Sequence, residues 1–431
     1  MEKIINYLKS ELLKRGMDDV IVNFYETEGR QLKFVNNKVV KTGSELISNI
    51  YIFSSRSKRV ISTSLKDISQ AKAEELVKKI ISMSKNVPPN NDYYGIAKGP
   101  FKYNSKFDYD KDIMEIDESD LLEKGINKAL ENSKRVAGNL EVWHLKSHLV
   151  TSGDVEVKDG SSNLYFSIRA FNENDESGHM TCCSNTLKKF DIEKTAERAA
   201  EIATLAKKPV EARAGRFPVV FSQMAFAPLL NNVSEASSIY NVESGFSFLN
   251  ELNMKYGDFT LEDDATLPTG FNSVSFDDEG VPTKKTTIID KGILKTYLHN
   301  TSTAKKYKVE TTANAGLISP KPFNVVFDCR KGDIFDVKEG IYITNVWYTR
   351  FQNYSSGDFS TIPRDGAFLI KNGEIVQSLK GMRISDNMLD ILKNIQCCNK
   401  KLWQIKSWEA EIPTFTPEVL VNNVSITKPT H

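Results

Sequence analysis

Long apolar runs are missing from this chain of 431 residues. The longest are strand-sized, short of the roughly 18 residues a membrane-crossing helix needs, so no membrane span is expected. Charge of one sign is missing too: 57 Lys and Arg against 56 Asp and Glu leave a net charge of +1. That balance gives no field to gather a polyanion or an anionic lipid surface. No basic run substitutes for it locally, which argues against a nucleic-acid partner. Cysteine is scarce and odd in number: Cys182, Cys183, Cys329, Cys397 and Cys398 include no C-x-x-C. Adjacent pairs are poorly placed to bridge each other or chelate, so free thiols in a reducing compartment are expected. The start, MEKIINYLKSELLKRG, puts Ile4, Ile5, Leu8 and Leu12 on one helical face, an amphipathic helix rather than a signal peptide. A cytoplasmic protein follows from these readings.

What is present is ample apolar material, enough for roughly two to three domains. Three helical stripes stand out: one from Leu65 through Ile81, one from Leu121 through Leu130, and one at Ile192, Ala196, Ala199, Ile202 and Ala206. Between them VIVNFY, QLKFVNN, ISNIYIF and LYFSIRAF alternate like antiparallel strands. Helix, several strands, helix describes residues 2–85 and again about 117–208, joined by KNVPPNNDYYG, whose Pro88-Pro89 cannot continue a helix. The two stretches share an order of elements and no detectable residue identity. Past Arg213-Ala214-Gly215 the text becomes short strands with Gly, Asn, Asp and Pro at turns, interrupted by helices near 223–238 and 387–395. The expected fold is α+β: an N-terminal domain (1–210) of helices and antiparallel strands, and a C-terminal, mainly antiparallel β domain (211–431) of sandwich or barrel type.

Several residue groups invite a chemical reading. His144 and His148 would share a metal on a helix, but their setting, NLEVWHLKSHLV, is strand-like, where such a spacing spreads them by about 13 Å. Surface or edge-strand histidines are expected; His179, His299 and His431 are too scattered to complete a ligand set. Ser302–Lys305, Ser385-Asp386-Asn387 and Lys41-Thr42-Gly43 spell the three boxes of penicillin-recognising serine enzymes, in the wrong order and across both predicted domains. Asp263, Asp264, Asp277, Asp278 and Glu279 offer oxygen ligands for a hard cation without the EF-hand spacing, and turn formation accounts for most of them.

Those acidic residues also carry a resemblance. FDDEGVPT (276–283), GILKTYL (292–298), Ala304, TTANAG (311–316), SGDFS (356–360) and IKNGEI (370–375), in that order, resemble the TldD/PmbA family, historically labelled modulators of DNA gyrase. The N-terminal half agrees more loosely, through RQLKFVNNKV and the Ala-rich helix before RFPVV, and FSSRSKRVIST lacks the glycine usual in the family's strand turn. The resemblance implies two branches that pair as a heterodimeric zinc protease, the TldD branch holding zinc through an H-E-x-x-x-H helix and a C-terminal Cys. Aligning Leu229-Leu230 with the apolar pair before that motif puts Asn231 at the first His, Asn232 at the Glu and Ala236 at the second His. Amide and methyl groups are no substitute for imidazole on Zn²⁺. WQIKSWEAEIPTFTPEVLV has no Cys, Cys397 and Cys398 falling earlier on a predicted helix, and TTANAG lacks the Arg-rich continuation of TldD.

The chain thus looks like the TldE/PmbA branch. The resemblance implies no cofactor here, zinc in a TldD-like partner, and unfolded or leader peptides as substrate. Homodimers are possible when the partner is absent. Asn231, Asn232 and the turn Gly357, Asp358, Phe359 and Ser360 are the expected contributors to a substrate cleft or subunit interface. Two alternatives stand beside this: an autonomous hydrolase with an unrecognised site, and a non-enzymatic, self-assembling peptide-binding scaffold.

Overall fold

The computed structural model describes residues 1–103, 110–173 and 176–428. The first element is α1 (Glu2–Lys14), whose Ile5, Leu8 and Leu12 are wholly buried. Three strands follow, β1 (Asp19–Val35), β2 (Lys38–Arg56) and β3 (Arg59–Leu65), and then α2 (Gln70–Asn86), which the Ser69 hydroxyl caps by accepting from the Lys72 N–H. After a one-turn α3 (Lys111–Met114) the order recurs as α4 (Glu118–Leu130), β4 (Arg135–Thr151), β5 (Glu156–Phe171), β6 (Ser177–Ser184) and α5 (Ile192–Leu205). Asp117 and Asp191 cap α4 and α5, each accepting from backbone N–H groups in the first turn.

All six strands join one antiparallel sheet in the order β3-β2-β1-β4-β5-β6. The two helix–strand–helix units therefore meet along the β1–β4 ladder. Val20, Val22, Ile50 and Ile52 pack under α1 and α2 in one cluster, and Leu140, Phe166 and Ile168 pack under α4 and α5 in another. On the opposite side Ile21, Phe53 and Leu149 meet Ile96 of the linker and Phe276 of the second half.

VIVNFY and QLKFV, separate by their pattern, belong to one strand of 17 residues, and Asn36-Asn37 make the turn into β2. The glycine between them makes no turn. A Cβ at Gly29 would stand 2.1 Å from the Trp143 ring, so the glycine is there to admit indole packing from β4. The β2–β3 turn does without glycine: Ser57 and Lys58 themselves adopt left-handed φ values of 48° and 64°. His144 and His148 also depart from expectation. They are buried in β4, an inner strand, where His144 Nδ1 meets Ser162 Oγ at 3.0 Å and His148 Nε2 meets Glu156 at 3.0 Å.

β7 (Val210–Glu211) and β8 (Gly215–Phe221) open a second half built on two more sheets. The ten-stranded one has β8 between Glu339–Ile343 and Val419–Thr427; the six-stranded one contains Phe259–Asp264, Lys285–Asp290 and Val325–Cys329. Most pairings are antiparallel, and β8 with Glu339–Ile343 is one of the parallel exceptions. Helix α6 (Gln223–Ala236) lies in the core of this half: Phe226 packs on Phe221 of β8 at 5.9 Å and on Phe327 of the other sheet at 5.1 Å. Cys397 and Cys398 lie on a strand, Ile395–Cys398, and not on a helix. The preceding helix Met388–Lys393 ends at Asn394, after which the chain extends to pair with Val419–Val421. All five cysteines are free thiols.

A buried ionic bracket ties the halves together. Asp365 accepts from Arg169 Nη2 at 2.9 Å, Ser177 Oγ at 2.7 Å and Asn345 Nδ2 at 3.1 Å, while Asn345 also reaches His179 Nδ1 at 3.1 Å. Among the described residues no helix is long and apolar enough to cross a membrane.

Candidate functional site

Helix α6 begins where β8 ends. Ser222 accepts from the Ala225 N–H and donates to the Thr344 carbonyl, which fixes the helix start against the ten-stranded sheet. Twelve of its 14 residues are buried; the exceptions are Asn232 and Glu235. Such near-complete burial leaves α6 a single window onto solvent, and that window opens into a cavity.

Asn231 does not face the cavity. Its Nδ2 donates to the Ile412 carbonyl at 3.0 Å and to Thr414 Oγ1 at 2.8 Å, and its Oδ1 accepts from the Ile412 N–H at 2.8 Å. One side-chain amide thus clamps the segment leading into strand Thr414–Thr416 onto the helix. Asn232, next along, donates to the Pro228 carbonyl at 2.8 Å and contributes to the cavity wall.

The cavity measures about 240 Å³. Asn232, Glu235 and Ala236 form its helical side, and Asn241, Phe246, Phe248, Phe351 and Tyr354 form the rest. The rings are ordered: Phe248 and Phe351 lie parallel with centroids 5.9 Å apart, Phe351 and Tyr354 stack at 5.2 Å, and Phe246 stands edge-on to Tyr354 at 6.2 Å. Glu235 sits at the mouth, exposed yet flanked by protein; loss of hydration first, and the neighbouring Glu411 second, push its carboxyl above the usual range.

The SGDFS turn reaches this cavity only from behind. Gly357, at φ +84°, closes the hairpin between Val346–Asn353 and Asp358–Pro363, and a Cβ there would press on Phe248 at 3.4 Å. Phe359 is buried and stacks on Phe351 at 5.8 Å, so it buttresses the aromatic wall. Ser360 accepts from Gln352 at 3.0 Å. Asp358 faces elsewhere, into a shallow depression shared with Arg216, Gln352 and Asn387. Hydrogen bonds from Ser356 and Asn387 hold its carboxyl below the usual range.

The sequence did not single out Glu235 or the four aromatic residues. Three segments distant in the chain supply them, and only the alternation of Phe246 and Phe248 in GFSF hinted at a shared face.

The acidic cluster turns out to hold loops. Buried Asp263 accepts from Asn314 Nδ2 and from the Phe323 and Asn324 N–H groups; Asp277 accepts from the N–H groups of Glu279, Val281 and Ala315. FDDEGVPT and TTANAG are thereby pinned to each other. Burial pushes Asp263 and Glu279 up to about 7. The three serine-enzyme boxes lie apart. Ser302 Oγ accepts from the Tyr94 N–H and Lys305 donates to the Tyr94 carbonyl, tethering the linker, while Lys41 stands on the exposed part of β2 and Ser385 on the ten-stranded sheet. His431 lies outside the described residues.

Fold and site together define a two-part α+β protein whose C-terminal sheets enclose a helix with a single open window. Residues 214–428 match the family model for the PmbA/TldA metallopeptidase C-terminal domain. The chain is 31% identical over 251 residues to the metalloprotease MJ0996 of Methanocaldococcus jannaschii, a match spanning 52% of this chain and 54% of that relative. It thus spans about half the length of this curated relative. Two solved structures share the fold: a Thermotoga maritima protein described as a modulator of a DNA gyrase (TM-score 0.86, 23% identity, 99% and 100% of the chains covered), and TldE from Thermococcus kodakarensis (TM-score 0.84, 22% identity, 99% of each). The chain belongs to the TldD/PmbA family.

A metallopeptidase family implies zinc, which takes imidazole, thiolate or carboxylate donors. The α6 cavity offers one carboxylate, Glu235, with amide, methyl and aromatic groups around it and neither imidazole nor thiol. No group of three or more His, Cys, Asp or Glu side chains among the described residues is arranged to hold a metal ion. The residues of this site do not fit zinc.

Proposed function

We propose that this chain is the TldE/PmbA-like, metal-free subunit of a two-subunit zinc metalloprotease that acts on unfolded or leader peptides. The observation that carries the reading is the donor set of α6. Where the resemblance places two histidines and a glutamate, the helix has an amide engaged as a structural clamp, a second amide and a methyl group. A zinc-bearing TldD-like partner would supply the metal, and this chain shapes the shared site.

A second feature supports a peptide-handling role. β3 covers β2 only from residue 50 to residue 56, so residues 38–49 of β2 present an edge with no strand partner among the described residues. Val39, Val40, Leu46 and Ile47 are exposed along it. Unpaired N–H and C=O groups beside apolar side chains are what an extended chain adds to, and such backbone-led pairing tolerates many sequences.

The test is co-expression with an H-E-x-x-x-H homologue from the same genome. The expected result is a stable mixed complex that cleaves an unstructured peptide, each subunit being inactive alone. Recovery of self-assembled chains only would favour the scaffold alternative, and cleavage by this chain alone would favour the autonomous hydrolase.

A further inference from the structure

The α6 cavity has a chemistry of its own, unexplained by the lack of zinc donors. At about 240 Å³ it falls below the roughly 300–1,000 Å³ of ordinary small-molecule sites, a size suited to a single side chain. Beside the amides of Asn232 and Asn241 its walls are aromatic faces, held in place by the stack from Phe248 through Phe351 to Tyr354 and braced behind by Phe359. Its helical side carries Glu235, an exposed carboxylate that no salt bridge among the described residues reaches.

Three ligand classes can be weighed against this lining. An anionic side chain would meet the Glu235 carboxylate and the negative faces of the rings. A neutral apolar side chain would cover the rings but deepen the desolvation of Glu235 and return nothing to it. A cation on an apolar stem satisfies both parts: methylenes lie against the rings, the charge is drawn to their π faces, and the head group meets Glu235.

We infer that the α6 cavity is a recognition pocket for a basic side chain, lysine or arginine, of an extended peptide. The inference rests on the peptide-handling reading above and assigns that peptide a preferred residue. The aromatic cage and the Glu235 carboxylate jointly define it.

The test uses the full chain alone. Fluorescein-labelled, unstructured Gly/Ser peptides carrying one central lysine or one central norleucine are titrated and followed by anisotropy. The lysine peptide is expected to bind about tenfold tighter than the norleucine peptide. Glu235→Gln and Tyr354→Ala, both at exposed positions, should each bring the lysine peptide to the norleucine level while circular dichroism stays unchanged. Equal binding of the two peptides, absence of binding by either at millimolar concentration, or a lysine preference that survives both variants would overturn the inference. Because no partner is present, a negative result here leaves the paired-protease reading standing, and failure to pair leaves the pocket intact.

Discussion

Replacing Asn231 with alanine separates a structural amide from a degenerate ligand position. Its side chain makes three hydrogen bonds to one short segment, two to the Ile412 backbone and one to Thr414 Oγ1. In the variant the Ile412 carbonyl keeps a donor, Thr414 Oγ1 at 2.9 Å. The Ile412 N–H has no replacement. An orphaned buried donor costs about 1–3 kcal/mol and a lost hydrogen bond about 1 kcal/mol, so a total near 3 kcal/mol is expected. The loss should be local first: amides of residues 412–416 exchange faster with solvent deuterium than those of β1 and β2, alongside a lower urea midpoint. Asn231→Asp should not rescue it, since a carboxylate accepts from Ile412 N–H but cannot donate to the carbonyl beside it. Asn232→Ala, which loses one bond at the cavity edge, is expected to cost under about 1 kcal/mol. If Asn231→Ala unfolds within about 0.5 kcal/mol of the parent and leaves exchange at 412–416 unchanged, the clamp is not what holds this residue in place.

Other outcomes follow from the same geometry. Burial keeps His179 neutral below its ordinary range, while an unfolded histidine takes a proton near 6.5. Below that pH the unfolded chain binds the extra proton, so stability falls as pH drops, by about 1.4 kcal/mol per unit until the buried ring titrates. His179→Gln should flatten that part of a urea-midpoint profile between pH 7 and pH 4. Buried Asp263 and Glu279, raised to about 7, act in the opposite sense and are common to both proteins. Gly357→Ala forces a Cβ into left-handed backbone against Phe248 and should cost about 1–2 kcal/mol in thermal or urea unfolding. Val40→Lys with Ile47→Lys, at exposed positions on the open β2 edge, should leave stability within about 0.5 kcal/mol but weaken association with unstructured peptides in the anisotropy assay. Unaltered peptide binding would remove the edge from the account.

The sequence made some parts legible because their signals are local. The stripes of α2, α4 and α5 could be read from periodicity, since each of these helices buries one face and hydrogen-bonds within itself. Strand lengths were harder: ETEGR looks like a break, and only the Trp143 ring arriving from β4 shows why glycine sits mid-strand. Cys397 and Cys398 were misplaced because the apolar spacing of MLDILKNI runs on past Asn394, where the backbone turns to meet Val421. His144 and His148 were taken for peripheral residues, since nothing in NLEVWHLKSHLV shows that β4 is flanked on both sides. At the site the α6 residues were visible as departures from a motif. The aromatic wall was not, because Phe351 and Phe359 pair across one hairpin while Phe248 reaches them from a loop about a hundred residues earlier in the chain.

In the proposed function α6 shapes a site without gripping a metal. Elemental analysis of the purified chain, alone and after complex formation with an H-E-x-x-x-H homologue, puts this to the test. The prediction is well below one zinc per isolated chain and one per mixed complex, with chelator-sensitive peptide cleavage in the complex only. One tightly held ion per isolated chain, accompanied by cleavage that a chelator abolishes, would contradict it.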